Sequence, residues 1–191
     1  MRLFKSGFMG LNVLFLVATI IIASGCSSST EKITDPKNKK VALVYGYVNM
    51  NEAGSPLDWL AVRRYRPTPQ RYGTDIYAGL FFHIGVDLGS YQVERFGSNS
   101  GAFRNTSYRY TFGGSGKNMS ARRINKPGLH YLGSYKYNAK TNSSGRDYFT
   151  FDKVKEPSEK ELLTILLRRV KSDYSEYTQQ IKWIEQRLAQ L

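Results

Sequence analysis

The chain has 191 residues, with 28 lysines and arginines against 15 aspartates and glutamates, a formal charge of +13. One cysteine excludes an internal disulfide framework and a thiolate zinc cluster, and two histidines leave little for a histidine-built metal site. With 41% hydrophobic and 14% aromatic residues, the composition is too apolar for a disordered chain, and the length suits one domain with an appendage.

The N-terminus reads as an export signal. Arg2 and Lys5 give a short positive stretch, and Phe8 to Ile22 supply an apolar run broken only by Gly10, Asn12 and Thr19. About 15 apolar residues fall short of the roughly 20 that a bilayer-spanning helix needs but suit a signal h-region. The segment ends in Ile22-Ala23-Ser24-Gly25-Cys26, which holds the single cysteine of the chain. This arrangement resembles the lipobox of bacterial lipoproteins, with Ala23 where leucine is commonest. In that family the cysteine thiol takes a diacylglycerol and the signal is cut just before it. The resemblance therefore implies a signal peptide over residues 1–25, lipidation at Cys26 and a membrane partner held through covalent lipid. It also implies a cell-envelope location, facing the periplasm from the outer membrane in a Gram-negative organism, because Ser27 is not a retaining aspartate. Each buried CH₂ of an acyl chain contributes about 0.8 kcal/mol, and two or more chains anchor stably where one does not. The competing reading is an uncleaved transmembrane anchor with Cys26 incidental.

Residues 26–40 form the lipidated cysteine and a linker. Ser27-Ser28-Ser29 leads into charged and turn-forming residues with no apolar period, as expected of a solvated segment. From Val41 the pattern changes to short apolar runs. Val41 to Val48 is apolar on both faces and reads as a central strand. Leu57 to Tyr65 is a weaker strand, Ile76 to Ile84 a buried run, and Tyr91 to Phe96 partly alternates. Leu129 to Leu132, continuing through Tyr135 and Tyr137, and Tyr148 to Phe151 complete the set, with Gly, Pro, Asn and Ser between them. Such runs predict a mainly β protein, an antiparallel β-sandwich over residues 41–156, and the lack of βαβ alternation argues against a parallel sheet.

Residues 157–191 differ in kind. Ser158 and Glu161 have the spacing of a capping box. Leu163, Leu167, Val170, Tyr174, Tyr177, Ile181, Ile184, Leu188 and Leu191 then recur at spacings of four and three, with no Gly or Pro between them. The pattern predicts a long C-terminal amphipathic helix of about 33 residues, near 50 Å. That exceeds a typical strand of about 20 Å, so the helix must bend across its own domain, protrude, or meet a partner. The candidate interface is Leu167, Val170, Tyr174, Tyr177, Ile181, Ile184 and Leu188, offered to an envelope protein or to a second copy.

Signals for chemistry are weak. Phe112-Gly113-Gly114-Ser115-Gly116-Lys117 misses the phosphate-loop spacing, with Asn118 where magnesium would need Ser or Thr, and reads as a hairpin turn. His83, with Asp75, Asp87 and Ser90 nearby in sequence, could be drawn as a triad, but no G-x-S-x-G elbow accompanies it. Hydrogen-bonded strand histidines are the expected reading of His83 and His130. The chain is expected not to be an enzyme, and no cofactor or metal is indicated.

Charge carries more information. Between Ala61 and Lys126 stand eleven basic residues against three acidic ones, and nine of the eleven are arginines: Arg63, Arg64, Arg66, Arg71, Arg95, Arg104, Arg109, Arg122 and Arg123. Tyrosines are interleaved, as in Arg64-Tyr65-Arg66 and Tyr108-Arg109-Tyr110. Guanidiniums offer planar paired donors to phosphate and carboxylate. The candidate anion-binding set is Arg63, Arg64, Arg66, Arg71, Arg109, Arg122 and Arg123, with anionic lipid or polysaccharide as ligand. Nucleic acid suits the charge but not an exported protein.

Leu88-Gly89-Ser90-Tyr91-Gln92-Val93 and Lys126-Pro127-Gly128-Leu129-His130-Tyr131-Leu132-Gly133 resemble strand and turn segments of small uncharacterised β-sandwich lipoproteins of the bacterial envelope. That resemblance implies a sandwich with a terminal helix and no active site. The expected function is a membrane-anchored, noncatalytic structural or adaptor protein acting through the helix. The alternative is a binder of anionic envelope polymers or lipids through the arginine-rich surface.

Overall fold

The computed structural model describes residues 35–98, 108–111 and 120–191, with residues 108–111 described as backbone alone. All of them belong to one compact unit, Glu31–Leu191. The signal segment and Cys26 lie outside the described residues, as do Arg104 and the glycine-rich stretch 112–117.

Among the described residues ten strands precede two helices: β1 (Ala42–Asn49), β2 (Trp59–Arg66), β3 (Gln70–Gly73), β4 (Asp75–Tyr77), β5 (Leu80–Val86), β6 (Gly89–Ser98), β7 (Tyr108–Thr111), β8 (Arg122–Ile124), β9 (Gly128–Thr141), β10 (Asp147–Lys153), α1 (Glu159–Asp173) and α2 (Thr178–Leu188). One sheet has the order β10-β9-β1-β5-β4. The other has the order β3-β2-β6-β7, with β8 also paired to β6.

The strand β1 is buried on both faces, as its uninterrupted apolar run predicts. Ala42, Val44 and Val48 join a cluster that takes buried residues from both sheets, including Val62, Tyr91, Val93 and Phe96 of the second. Leu43 and Tyr45 point the other way, into a cluster with Leu162, Leu163, Leu166 and Val170 of α1 and Ile184 of α2.

Three expectations are corrected. The first sheet is mixed, because β1 pairs parallel with β9, Ala42 opposite Gly128 and Leu43 opposite Leu129. A parallel pair needs only a long crossover, and here the whole second sheet serves as one. The run Ile76 to Ile84 is a hairpin, its two-residue turn having positive φ at Ala78 (49°) and Gly79 (86°). Both signs match a type I′ turn, which an Ala-Gly pair inside an apolar run hardly signals. Just before β1, Asp35 Oδ1 accepts from the Lys37 amide (2.9 Å) and Asn38 Oδ1 from the Lys40 amide (3.0 Å). The predicted single helix is two.

The capping box forms, with the Ser158 amide donating to Glu161 Oε2 (2.8 Å) and Ser158 Oγ accepting from the Glu161 amide. The helix ends at Asp173, inside the weak helix-forming run Ser172-Asp173-Tyr174-Ser175-Glu176-Tyr177-Thr178. Tyr174 packs edge-on against Phe82 and donates its hydroxyl to Asp75, while Tyr177 is buried. These contacts reward a reversal that a continuous helix would forfeit, and α2 folds back beside α1. Lys171 pairs with Glu185 across them.

At the far end of the pair, Glu159 accepts from Tyr45 Oη (2.9 Å) and, through both oxygens, from Arg187 (2.8 and 2.9 Å). The Arg187 hydrogen bonds lower the pKa of Glu159 against the effect of burial. Burial, followed by the charge of Glu159, raises that of Tyr45. This three-residue contact ties β1, α1 and α2 together. Replacing Glu159 with Ala leaves the buried Tyr45 hydroxyl without its acceptor and should cost about 2 kcal/mol in urea unfolding, against about 1 kcal/mol for Tyr45→Phe. The double variant should lose less than the sum.

Candidate functional site

Strand alternation sorts the arginines by face. On β2, Leu60 and Val62 face the core, and Arg64 continues that side at 8% exposure. Each nitrogen of its guanidinium is engaged: Nε donates to the Thr68 carbonyl (2.9 Å), Nη1 to Asp87 (2.7 Å) and Nη2 to Gln70 (2.6 Å). Tyr72 also donates to Gln70, and Tyr91 to the Asp87 carbonyl. Arg64 is therefore an internal brace for the β2–β3 turn and not part of an open anion site, a correction to its sequence-based role. An arginine in a run of arginines gives no sign of which face it will occupy.

Arg63 and Arg71 stand opposite one another on β2 and β3. Both reach Glu94, Arg63 Nη1 at 2.8 Å and Arg71 through Nε and through Nη2 at 3.0 Å. Glu94 is the extra residue of a bulge, since Ala61 faces Arg95 while the next residue, Val62, faces Val93. Arg95 approaches the same carboxylate at 3.9 Å. Hydrogen bonds from Arg71, reinforced by Arg63 and opposed by burial, hold the Glu94 carboxyl at about 2, well below its ordinary 4.5. Three guanidiniums around one carboxylate leave the cluster cationic.

A second group lies at one end of this sheet. Arg66 is opposite Ser90, and Ser90 is opposite Arg123. The three form one row across β2, β6 and β8, on the face away from the core. In the adjacent row Arg64, Tyr91 and Arg122 stand opposite one another, and Arg122 donates to the Ala121 carbonyl (2.8 Å). Arg66 and Arg123 enter no ion pair among the described residues. Gly89 permits the spacing: a Cβ there would stand 2.2 Å from the Arg66 carbonyl oxygen and 2.7 Å from Arg64 Cδ. Arg109 lies on β7 opposite Gly97.

The same end receives the chain from its N-terminus. The start of β1 faces Val86 on one side and Gly128 on the other. Residues 87–88 and 125–127, which cross between the sheets, therefore flank it, while Asp35, Lys37 and Lys39 just before it line a hollow with Glu176, Thr178 and Gln179. Sequence reasoning missed the arginine groupings, and with them Ser90, Gln92 and Glu94, because they depend on register.

The seven helix-interface candidates line the protein's own interior. Val170, Tyr177 and Ile184 belong to the cluster between the helices and β1, and Leu167, Tyr174, Ile181 and Leu188 pack against it. The expected external seam is thus closed by the first sheet, because the reversal after Asp173 turns both halves inward. His83, Asp75 and Asp87 of the nominal triad are engaged with other partners. His83 Nδ1 donates to the Gly73 carbonyl (2.7 Å), Asp75 accepts from Tyr174 and Asp87 from Arg64. His130 Nε2 donates to the Lys126 carbonyl (2.9 Å).

Among the described residues no helix is long and apolar enough to cross a membrane, and no three His, Cys, Asp or Glu residues cluster as metal ligands. The chain matches no family model, no curated protein and no solved structure.

Because the Glu94 pKa is depressed on folding, its ion pairs stabilise the protein fully above about pH 4.5 and lose that contribution as pH falls toward about 2. Urea unfolding followed from pH 5 to pH 2.5 should therefore decline more steeply for the parent chain than for Glu94→Gln. Equal slopes would remove Glu94 as an acid-sensitive centre of this face.

Proposed function

We propose that the protein is a noncatalytic envelope lipoprotein, anchored through acylated Cys26, whose folded part binds anionic groups of the envelope with the basic end of its second sheet. In this reading the cluster shared by the two sheets is the interior of a β-sandwich. The observation that carries the proposal is that β1 begins, opposite Val86 and Gly128, at the same end of the strands as Arg66, Arg123 and Lys126. Asp35 follows Cys26 by nine positions in sequence, a contour of at most about 30 Å. In this reading the lipid anchors the protein, and the basic surface adds attraction to anionic headgroups of about 1 kcal/mol per cation near the surface.

The arginine surface is favoured over the helix as the working face. Of the residues named as a helix interface, Val170, Tyr177 and Ile184 are buried, and Leu167, Tyr174, Ile181 and Leu188 are partly buried against the same internal cluster. By contrast, Arg66 (exposed), Arg123 (exposed) and the Arg63–Arg71–Glu94 cluster all lie outside the core.

Two measurements test the proposal. Cells expressing the parent chain and grown on labelled palmitate should label it and carry it in the membrane fraction, whereas Cys26→Ala should lose the label. Identical labelling and fractionation of the two would end the lipoprotein reading. The mature lipid-anchored protein in zwitterionic micelles should bind sulfated dextran, and the affinity should fall at least tenfold between 50 and 500 mM salt. Arg66→Glu with Arg123→Glu should weaken it by a similar factor at low salt. Absent binding, or binding indifferent to salt and to both charge reversals, would end the anion-binding reading.

A further inference from the structure

A groove of about 310 Å³ lies where the Arg66–Ser90–Arg123 row ends, lined by Tyr65, Ser90, Tyr91, Gln92, Ala121, Arg122 and Arg123. Its size falls at the lower end for small-ligand sites, enough for a single ring. The wall on one side is Tyr65, the residue between Arg64 and Arg66 at a register shift, which the bulge pushes outward. It remains 38% exposed, and the Arg63 guanidinium lies over its ring at 5.0 Å. Arg63 is itself held by Glu94, so the tyrosine wall is braced from behind through two side chains.

The other wall is β8 with Arg122 and Arg123, two strand spacings from β2, or about 9.6 Å. Ser90 and Gln92 lie between on β6. Neither makes a side-chain hydrogen bond among the described residues, and both are only half-buried. The floor thus presents one hydroxyl and one amide, neutral groups that both donate and accept.

This combination is more particular than a positive surface. A bare phosphate or a lipid headgroup is served by guanidiniums alone and has no use for a standing aromatic ring or a carboxamide floor. A pyranose ring does. Its carbon–hydrogen face is apolar and flat enough to lie on tyrosine, its hydroxyls both donate and accept, and an acidic substituent supplies the partner for arginine.

We infer that the groove is a subsite for a sugar bearing one anionic substituent, stacked on Tyr65, hydrogen-bonded to Ser90 and Gln92 and paired through its carboxylate or phosphate with Arg123. The inference rests on the anion-binding reading above and narrows it to an acidic saccharide. Arg66, at the open end of the row, receives the next charge along the same chain. The brace predicts a positioning role for Glu94: it holds Arg63, and Arg63 holds Tyr65.

The test uses the mature lipid-anchored protein in zwitterionic micelles and calorimetric titration with four probes: trigalacturonate, glucose 1-phosphate, maltotriose and inorganic phosphate. At least one of the two charged sugars should bind ten or more times tighter than both maltotriose and phosphate, and which one it is distinguishes carboxylate from phosphate as the anionic group. Tyr65→Ala should weaken that sugar at least tenfold and Gln92→Ala several-fold, while sulfated dextran binding stays within twofold of the parent. Both substitutions are at the surface, and unchanged circular dichroism verifies their folding. Charged sugars that bind no tighter than phosphate, or that ignore both substitutions, overturn the saccharide subsite. Sulfated dextran binding then still reports separately on the anion surface, so failure of the subsite and failure of the broader reading are told apart.

Discussion

A strand with apolar side chains on both faces cannot be satisfied by one covering layer, and β1 imposes that requirement on the rest of the molecule. Val44 and Leu43 alternate across it, both with 0% exposure, and each needs its own apolar neighbours. Val44 obtains them in the cluster shared with the second sheet, and Leu43 obtains them from the two helices. The parallel partner β9 follows the same rule, with Leu132 and Tyr135 on the first side and Leu129 and Tyr131 on the second. Removing either cover would expose a row of side chains whose burial is worth roughly 25 cal/mol per Å².

The C-terminal helices answer that demand. A continuous helix carrying the seam from Leu163 to Leu188 could cover the sheet with its first half only. Turning back after Asp173 gives both halves the same sheet to bury against, at the cost of one interrupted hydrogen-bond ladder. Tyr174 and Tyr177 occupy the turn and fill it with ring contacts, their centroids 5.9 Å apart. The Tyr45–Glu159–Arg187 contact closes the opposite end of the pair. The periodicity that suggested an external partner was a true record of an apolar stripe; the partner it records is the protein's own first sheet.

The arginines illustrate how much depends on register. In the sequence Arg63, Arg64 and Arg66 are a single basic run between Val62 and Pro67. Pleating sends Arg64 inward to Asp87, Gln70 and the Thr68 carbonyl, and the neighbouring Arg63 outward to Glu94. A register shift between Arg64 and Arg66 then sets Arg66 opposite Ser90. The charge excess of the segment was legible from composition, and so were the interleaved tyrosines. The division into a buried brace, a cluster around one carboxylate and an outward row was not. It is created by two bulges whose positions no local residue preference announces.

The amino-acid sequence alone determined the strand-rich character, the doubly buried first strand, the capped start at Ser158 and the apolar stripe behind it, because these follow from side-chain periodicity within a few consecutive residues. Pairing of β1 with β9, the reversal at Tyr174 and the meeting of Arg66, Ser90 and Arg123 were decided by tertiary structure. Each of those joins residues tens of positions apart, or trades a local preference for burial against a distant surface. Only the folded chain contains that distant surface, so only the fold could set the choice.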